Sequence, residues 1–361
     1  SGSGRTARRS AGGARYLLCP TGYLVLKLTG VYSIDHSRAA STMFYHIHKK
    51  KWDPELCRYF GLPAGILPPI FKSCDVVGRV HSAGESATGL KAGTPVVAGA
   101  MDSIGALIGL GVGREKGALI LGSVGRICME SEKLDMRFMN TVNFDASGTL
   151  LMTPVNSTGV SYRWIRDILF PGDGRTDLFR AMDRMAEKVP VGSGGLLYLP
   201  YLSGERSPIW DPHARGGFLG LTVDHRREHL LRSVLEGVGF ALAENFEILK
   251  NDLKVDPPFL VVGGGGAKSE VWVQIISNIF GKVFQIPAEK ETETMGGAIL
   301  AGLGTGAFPD LESIRDTWNR VVKVVTPQNG AVEKYQKLLA VFKKLYPENR
   351  FIFEKLYQNQ F

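Results

Sequence analysis

Asp102 closes the stretch TPVVAGAMD, residues 94–102, a carboxylate immediately beyond an apolar run that reads as a buried strand. At the C-terminal end of a strand in an α/β sheet, a carboxylate can take a proton from a substrate hydroxyl. The SIGALIGLG that follows equally suits Asp102 to a helix N-cap, and taken alone the cap is the better-supported reading. Gly122-Ser123-Val124-Gly125 sets two glycines around a small hydroxyl, so that backbone N–H groups and a side-chain O–H could face an anion. An ordinary hairpin turn fits the same four residues. Gly263 to Gly266 is a run of four glycines between an apolar stretch and a helical one. Four in a row cost backbone entropy, which asks for the close approach of another group. The run is neither a Walker loop, since no Gly-Lys-[Ser/Thr] follows, nor a clean GxGxxG dinucleotide turn. Gly204-Glu205-Arg206-Ser207-Pro208 with Trp210-Asp211-Pro212 reads at least as well as a loop pinned by an ion pair and two prolines as it does as a catalytic segment. His225 and His229 stand four apart without a third ligand nearby and read as surface groups.

The elements that must position these residues are legible from the pattern. ARYLLCPTGYLVLKLTG, from Ala14, has helical apolar spacing, with Gly30 as a stop signal. A polar loop and a helix containing Trp52 follow, then a proline-rich connection at Leu67-Pro68-Pro69. GALILGSVGRICMES reads as two strands around the Gly122–Gly125 turn, and LLYLPYLSGE as an apolar run into a turn. From His229 to Leu249 an amphipathic helix carries Leu231, Val234, Leu235, Val238, Leu242, Phe246 and Leu249 on one face. FLVVGGGG is a strand entering the glycine turn; the helix after it starts at Ser269 and stops at Gly281. GKVFQIP returns as a strand. TMGGAILAGLG is a helix of small residues able to pack very close to a neighbour, and a helix with lysines on its wet face runs from about Ala331. Strands alternating with helices give an α/β class.

The chain has 361 residues, long enough for two domains, with 44% hydrophobic and 22% charged residues, which excludes wholesale disorder. The net charge of +8 invites a nucleic-acid reading, but Arg5, Arg8, Arg9 and Arg15 supply half of it from the first fifteen residues, and Lys49 to Lys51 form one further short cluster. The remainder is nearly balanced, so no nucleic-acid partner is expected. Cys19, Cys57, Cys74 and Cys128 form no CxxC pair, which suits free thiols in a reducing compartment. No run reaches the roughly 18 apolar residues of a membrane span, and no signal-peptide pattern opens the chain. A cytoplasmic protein without a membrane partner is expected. Residues 1–13, small and basic without periodicity, read as a disordered tail.

The order of GAMD, LGSVG, SGERSPIWDPHARGGFLGL, VVGGGGAKSEVWVQ and MGGAILAG resembles the FGGY carbohydrate kinases. Gly216 to Glu236, GGFLGLTVDHRREHLLRSVLE, matches that family's second signature throughout, and the resemblance extends from about Ala14 to the C-terminus, including LTG at 28–30 and IDHSRAAS at 34–41. It implies two ribonuclease-H-like domains of the actin/hexokinase type: the remainder of a sugar-side domain over 14–112 and a nucleotide-side domain over 113–361. The implied reaction moves the γ-phosphoryl of ATP onto a sugar hydroxyl with Mg²⁺. Asp102 matches the family's catalytic base, and Ser103 beside it would contact substrate. Gly122, Ser123 and Gly125 match the second phosphate loop, often Thr where this chain has Ser123. Gly264, Gly265 and Gly266 match the adenosine motif. Asn278, on the nucleotide side of the following helix, stands where many members have Asp. MGGA replaces the commoner LGAA.

Nothing like the family's DxGT, which holds Mg²⁺ and phosphate, occurs before Leu28. The chain is therefore expected to correspond to the later part of the first domain and all of the second, to bind adenine nucleotide weakly and to phosphorylate sugar poorly or not at all. LPYLSGERSPIWDPHARGGFLGL leans towards xylulokinase, then gluconokinase, rather than glycerol kinase. The alternative is a truncated, non-catalytic nucleotide-binding remnant. A homodimer is compatible with the reading.

Overall fold

The computed structural model describes residues 16–63, 65–113, 116–289, 291–318 and 320–358. The tail at residues 1–13 lies outside them. The chain divides into two units: residues up to Gly111 with Asn140–Leu150 and Glu291–Asn319, and Val112–Met139 with Leu151–Lys290 and Arg320–Phe361. The partition expected from sequence, 14–112 and 113–361, is contiguous, whereas a hairpin tip and one later helical segment group with the first unit. Hydrophobic patterning marks an element's buried face but not which core receives it.

In the first unit, helix Pro20–Thr29 starts with Cys19 as N-cap and ends on Gly30 in the left-handed conformation (φ 76°), the stop its sequence signals. Trp52 is not helical. It lies in a short antiparallel pair with Tyr45, its Nε1–H donates to the Pro68 carbonyl at 2.9 Å, and the helix begins after it, at Pro54, capped by Asp53. Proline at the first helical position and aspartate before it favour that start over an earlier one. Strand Pro95–Val97 leads through Gly99 (φ 78°) into helix Asp102–Gly109. That helix lies against helix Thr292–Thr305 at backbone distance. A β-carbon on residue 105 would stand 3.1 Å from the Glu293 carbonyl oxygen, and one on 109 or 296 would collide with the Thr292 or Gly105 carbonyl. The small residues of GGAILAGLG are what permit this approach.

The second unit is built on a sheet in the order β7-β6-β5-β1-β2-β4-β3, with β1 Gly117–Leu121, β2 Gly125–Ser131, β3 Met139–Val142, β4 Thr149–Val155, β5 Phe259–Gly263, β6 Val283–Pro287 and β7 Val321–Val325. The turn end of the β3/β4 pair, 140–150, belongs to the first unit. β1 and β2 form an antiparallel hairpin, β5 runs parallel to both β1 and β6, and β7 is antiparallel to β6. Helix Arg227–Asn251 is the spine of the core. The seven apolar residues of its expected stripe are buried, but so are Arg232, Glu236 and Phe240. Glu236 takes bonds from Arg232 (2.8 Å), Ser193 (2.8 Å), Tyr335 (2.8 Å) and the Gly192 amide (3.0 Å), which pins the C-terminal helix Asn329–Gln358 to the spine. A buried charge needs this number of partners to be tolerated.

The loop 204–212 is pinned differently from the ion pair expected. Arg206 donates to the Asn156 side chain at 2.5 Å, while Glu205 accepts from the Asn156 and Arg206 amides at 2.8 and 2.7 Å. Glu205 is 3% exposed, and burial pushes its carboxyl up to about 7. Glu244 is likewise pushed up by burial to about 7. An unfolded glutamate titrates at about 4.3. Between that value and about 7 the folded chain holds a proton the unfolded chain has released, so stability falls as pH rises through this window. Thermal melts should therefore show Glu205→Gln gaining melting temperature relative to wild type by a few degrees from pH 5 to pH 8. A difference that stays flat or shrinks over that range would contradict the assignment.

Candidate functional site

In the first unit, Met101 rather than Asp102 is the N-cap, and it makes no side-chain cap bond. Asp102 is the first helical residue. Its side chain is exposed, and among the described residues its Oδ1 accepts only locally, from the Ser103 amide at 2.6 Å. The cap reading thus fails on geometry, since the carboxylate is not consumed in closing the helix. Ser103 is 9% exposed, in the first turn of the same helix.

The approach to Asp102 hangs on a buried carboxylate that sequence reasoning passed over. Asp35, 1% exposed, accepts from the Ser37 and Arg38 amides at 2.9 and 3.1 Å and from the Ser37 hydroxyl. Burial raises its carboxyl despite these bonds. The Ser37 hydroxyl oxygen also accepts from the Met101 amide at 3.4 Å, and the Gly99 amide donates to the Ser73 carbonyl at 3.0 Å, with the Ser73 hydroxyl 3.4 Å from Asp35. Residues 99–101 are therefore suspended from the IDHSRAAS turn. Its Asp-x-Ser spacing was a visible N-cap signal, but nothing in the sequence tied it to a segment 64 residues later.

In the second unit, the structure brings the two glycine loops together at one residue. Gly264 (φ 86°) and Gly266 abut Leu121, the residue before Gly122: a β-carbon at 264 would stand 2.8 Å from the Leu121 carbonyl oxygen, and one at 266 would stand 2.8 Å from its Cβ. Parallel pairing of β5 with β1 in register, Gly263 opposite Ile120, produces the meeting. Gly265 differs. It is exposed, and a β-carbon there would touch nothing within 4 Å.

The Gly122–Gly125 turn is fastened by the helix after β4, Thr158–Leu169. The amides of Thr158 and Val160 donate to the Ser123 carbonyl at 3.1 and 3.3 Å, and the Gly159 amide to the Gly122 carbonyl at 2.9 Å. This helix lacks a side-chain cap, so the turn's carbonyls satisfy its first donors. Ser123 remains exposed, and Arg163, one helical turn along, donates to its hydroxyl at 3.0 Å. Arg163 was missed because no motif marks it; only the fold sets its guanidinium beside the turn. A hydroxyl and a guanidinium on an exposed glycine turn suit an anionic ligand.

Asn278 lies towards the far end of helix Glu270–Phe280. It is buried, and its Oδ1 accepts from Gln274 at 3.0 Å and from the Gln328 amide at 2.8 Å. Eight residues, about 12 Å of helix, separate it from the start of that helix. Its carbonyl fastens the segment before the C-terminal helix. All four cysteines are free, and no helix among the described residues is long and apolar enough to cross a membrane.

With this geometry in hand, the comparisons identify the family. The model of the FGGY family of carbohydrate kinases, N-terminal domain, matches residues 6–109, and that of its C-terminal domain matches 129–305. The chain is 32% identical over 339 residues to xylulose kinase from Bacillus subtilis, covering 92% of this chain and 67% of that protein. The chain belongs to the FGGY family of carbohydrate kinases. It is 31% identical over 332 residues to a gluconokinase of the same organism, covering 89% of this chain and 64% of that one. It also resembles the crystal structure of ligand-bound xylulose kinase from Lactobacillus acidophilus, with a TM-score of 0.87 at 28% identity over 93% of this chain and 68% of the other. The chain thus spans about two thirds of the length of these FGGY relatives. Their shared architecture is the two-unit α/β fold described above.

Two substitutions separate the roles of neighbouring glycines. Gly265→Val should fold with a melting temperature within about 2 °C of wild type, because the added atoms enter open space, yet lower affinity for an ATP analogue at least tenfold by calorimetry. Gly266→Ala should instead lower stability by about 1–3 kcal/mol, through overpacking against Leu121. Unchanged affinity in folded Gly265→Val would remove the glycine turn from the ligand site.

Proposed function

We propose that this chain carries the nucleotide side and the acceptor-side base of an ATP-dependent sugar kinase, with a ketopentose such as xylulose as first acceptor and gluconate as second. The observation that carries the reading is the meeting of the two glycine loops at Leu121, with Ser123 and Arg163 on the exposed side of one loop and Gly265 on that of the other. One loop suits the phosphates and the other leaves room for the adenosine. The names of the relatives, xylulose kinase and gluconokinase, support the acceptor classes.

Phosphoryl transfer asks little covalent chemistry of a protein and depends on positioning and charge stabilisation. Arg163 and the Ser123 hydroxyl would hold a phosphate and offset its charge. Asp102 would accept the proton of the attacking sugar hydroxyl, with Ser103 beside it contacting the sugar. The Asp35–Ser37 network holds the backbone at 99–101 that leads into Asp102, and misplacement of about 1 Å can cost on the order of a hundredfold. Among the described residues no group of three or more His, Cys, Asp or Glu stands together to hold a metal ion. Mg²⁺, when bound, would accompany the nucleotide phosphates and offset their charge.

A coupled ADP-release assay across xylulose, gluconate and glycerol tests the reading through ratios rather than absolute rates. Asp102→Asn should lower turnover by about 10²–10⁴ relative to wild type while leaving ATP-analogue affinity within twofold. Undiminished turnover in Asp102→Asn would remove it as the base. A preference for glycerol would overturn the acceptor class.

A further inference from the structure

Two residues, Asn156 and Ser157, join strand β4, which ends at Val155, to helix Thr158–Leu169. The first amides of that helix hold the Gly122 and Ser123 carbonyls, and Arg163, one turn along, reaches the Ser123 hydroxyl. Where the helix starts therefore decides where the Ser123 turn lies. The helix has no side-chain cap to fix that start. The two-residue link is held instead by the loop at 203–207. Glu205 Oε1 accepts from the Asn156 amide at 2.8 Å. Asn156 Oδ1 accepts from Arg206 Nε at 2.5 Å, and its Nδ2 donates to the Gly204 carbonyl at 3.2 Å. The Ser157 and Ser203 hydroxyls lie 3.2 Å apart, and the Ser207 amide donates to the Pro154 carbonyl at 3.2 Å. Four consecutive residues of one loop, 203–206, thus grip both residues of the link. The loop has an anchor of its own. Glu205 and Asp211 exchange backbone bonds at 2.9 Å, and the Asp211 carboxylate accepts from the Tyr346 hydroxyl at 2.6 Å.

We propose that Glu205 and Asn156 are positioning residues for the Ser123 turn: they fix where helix Thr158–Leu169 begins, and so where Ser123 and Arg163 stand against the phosphates of a bound nucleotide. The assignment rests on the reading of this turn as a phosphate site and adds to it the groups that hold the turn in place. Glu205 acts through one atom. Its Oε1 also accepts from the Arg206 amide at 2.7 Å, so the link and the loop share a single acceptor. Its Oε2 is buried and has no hydrogen-bond partner among the described residues. A proton on Oε2 leaves both Oε1 bonds intact, as suits a carboxyl that burial pushes up to about 7. Glutamine offers the same acceptor oxygen without charge, whereas alanine leaves two amides without their acceptor. The link then relaxes, and the helix start and the turn fastened to it shift together.

The test compares Glu205→Ala, Glu205→Gln and Leu339→Ala by two readouts. One is the calorimetric Kd for AMP-PNP with Mg²⁺, well below the melting temperature; the other is amide hydrogen exchange of the chain without nucleotide. Leu339 is buried on the C-terminal helix and makes no hydrogen bond to the link, so its truncation is a destabilising control. Glu205→Ala should raise Kd about tenfold and speed exchange at both 158–160 and 122–125. Glu205→Gln should stay within about threefold of wild type in Kd and leave that exchange unchanged. Leu339→Ala should lower the melting temperature without moving Kd or the exchange of either segment. Loosening of Glu205→Ala confined to 204–212, a Glu205→Gln that behaves like Glu205→Ala, or a Leu339→Ala that reproduces both effects would overturn the proposal. If Glu205→Ala does not fold, Asn156→Ala removes the bonds to Arg206 and Gly204 and keeps the amide. It should raise Kd at least about threefold and speed exchange in both segments, and unchanged values would overturn the proposal. Absence of AMP-PNP binding in the wild-type chain, with Glu205→Ala still loosening 122–125, would instead refute the nucleotide reading and leave the positioning of the turn standing.

Discussion

The Leu121 carbonyl oxygen stands 2.8 Å from where a β-carbon on residue 264 would be. That distance excludes any side chain at 264, and the same strand end crowds one at 266. The constraint follows from topology. β5 is parallel to β1, so both strands end on the same side of the sheet, and each must turn away at the same level. Turns emerging from neighbouring parallel strands compete for space, and glycine is the residue that lets both fit. Once they fit, backbone amides, the Ser123 hydroxyl and the Arg163 guanidinium are gathered at one place. The meeting of the two glycine turns is thus a consequence of how two strands are allowed to end.

A related solution appears in the first unit, where Gly105, Gly109 and Gly296 let two helices meet at backbone distance. Here the close contact is between two helices rather than two turns. It fixes the helix that begins at Asp102, while the Asp35–Ser37–Met101 bonds fix the segment leading into it. Asp102 is therefore held from both directions along the chain, with its carboxylate left to solvent.

Much of this was readable from residues alone. The hairpin around Gly122–Gly125, the Ser269 cap, the Gly281 stop and the stripe from Leu231 to Leu249 are local signals, and local signals survive folding when tertiary packing agrees with them. Trp52 misled because its apolar character suits a helix as well as an edge strand, and the Asp53-Pro54 start was decided by one proline. Burial around the whole circumference of the long helix was not legible, since Arg232 and Glu236 look like a wet face until Tyr335 and Ser193 arrive from distant sequence. Arg163 escaped for the same reason, its partner Ser123 lying 40 residues away; Asp35 escaped because its bond to Ser37 matters through the Met101 amide, 64 residues from Ser37. Conversely, the reading of Asn278 followed a family position, whereas its carbonyl is committed to Gln328.

On the proposed reading the two loops would hold phosphates and the Asp102 carboxylate would take the acceptor's proton, which leaves the bond-making to the substrates. The central claim is that the nucleotide lies across the Leu121 junction. Co-crystals with ATPγS test it most directly, because the thiophosphate sulfur is located by anomalous scattering. The account predicts adenosine against Gly265 and a phosphate oxygen within hydrogen-bond distance of Ser123 or Arg163. A nucleotide bound elsewhere in the second unit, with the junction unvisited, would contradict it.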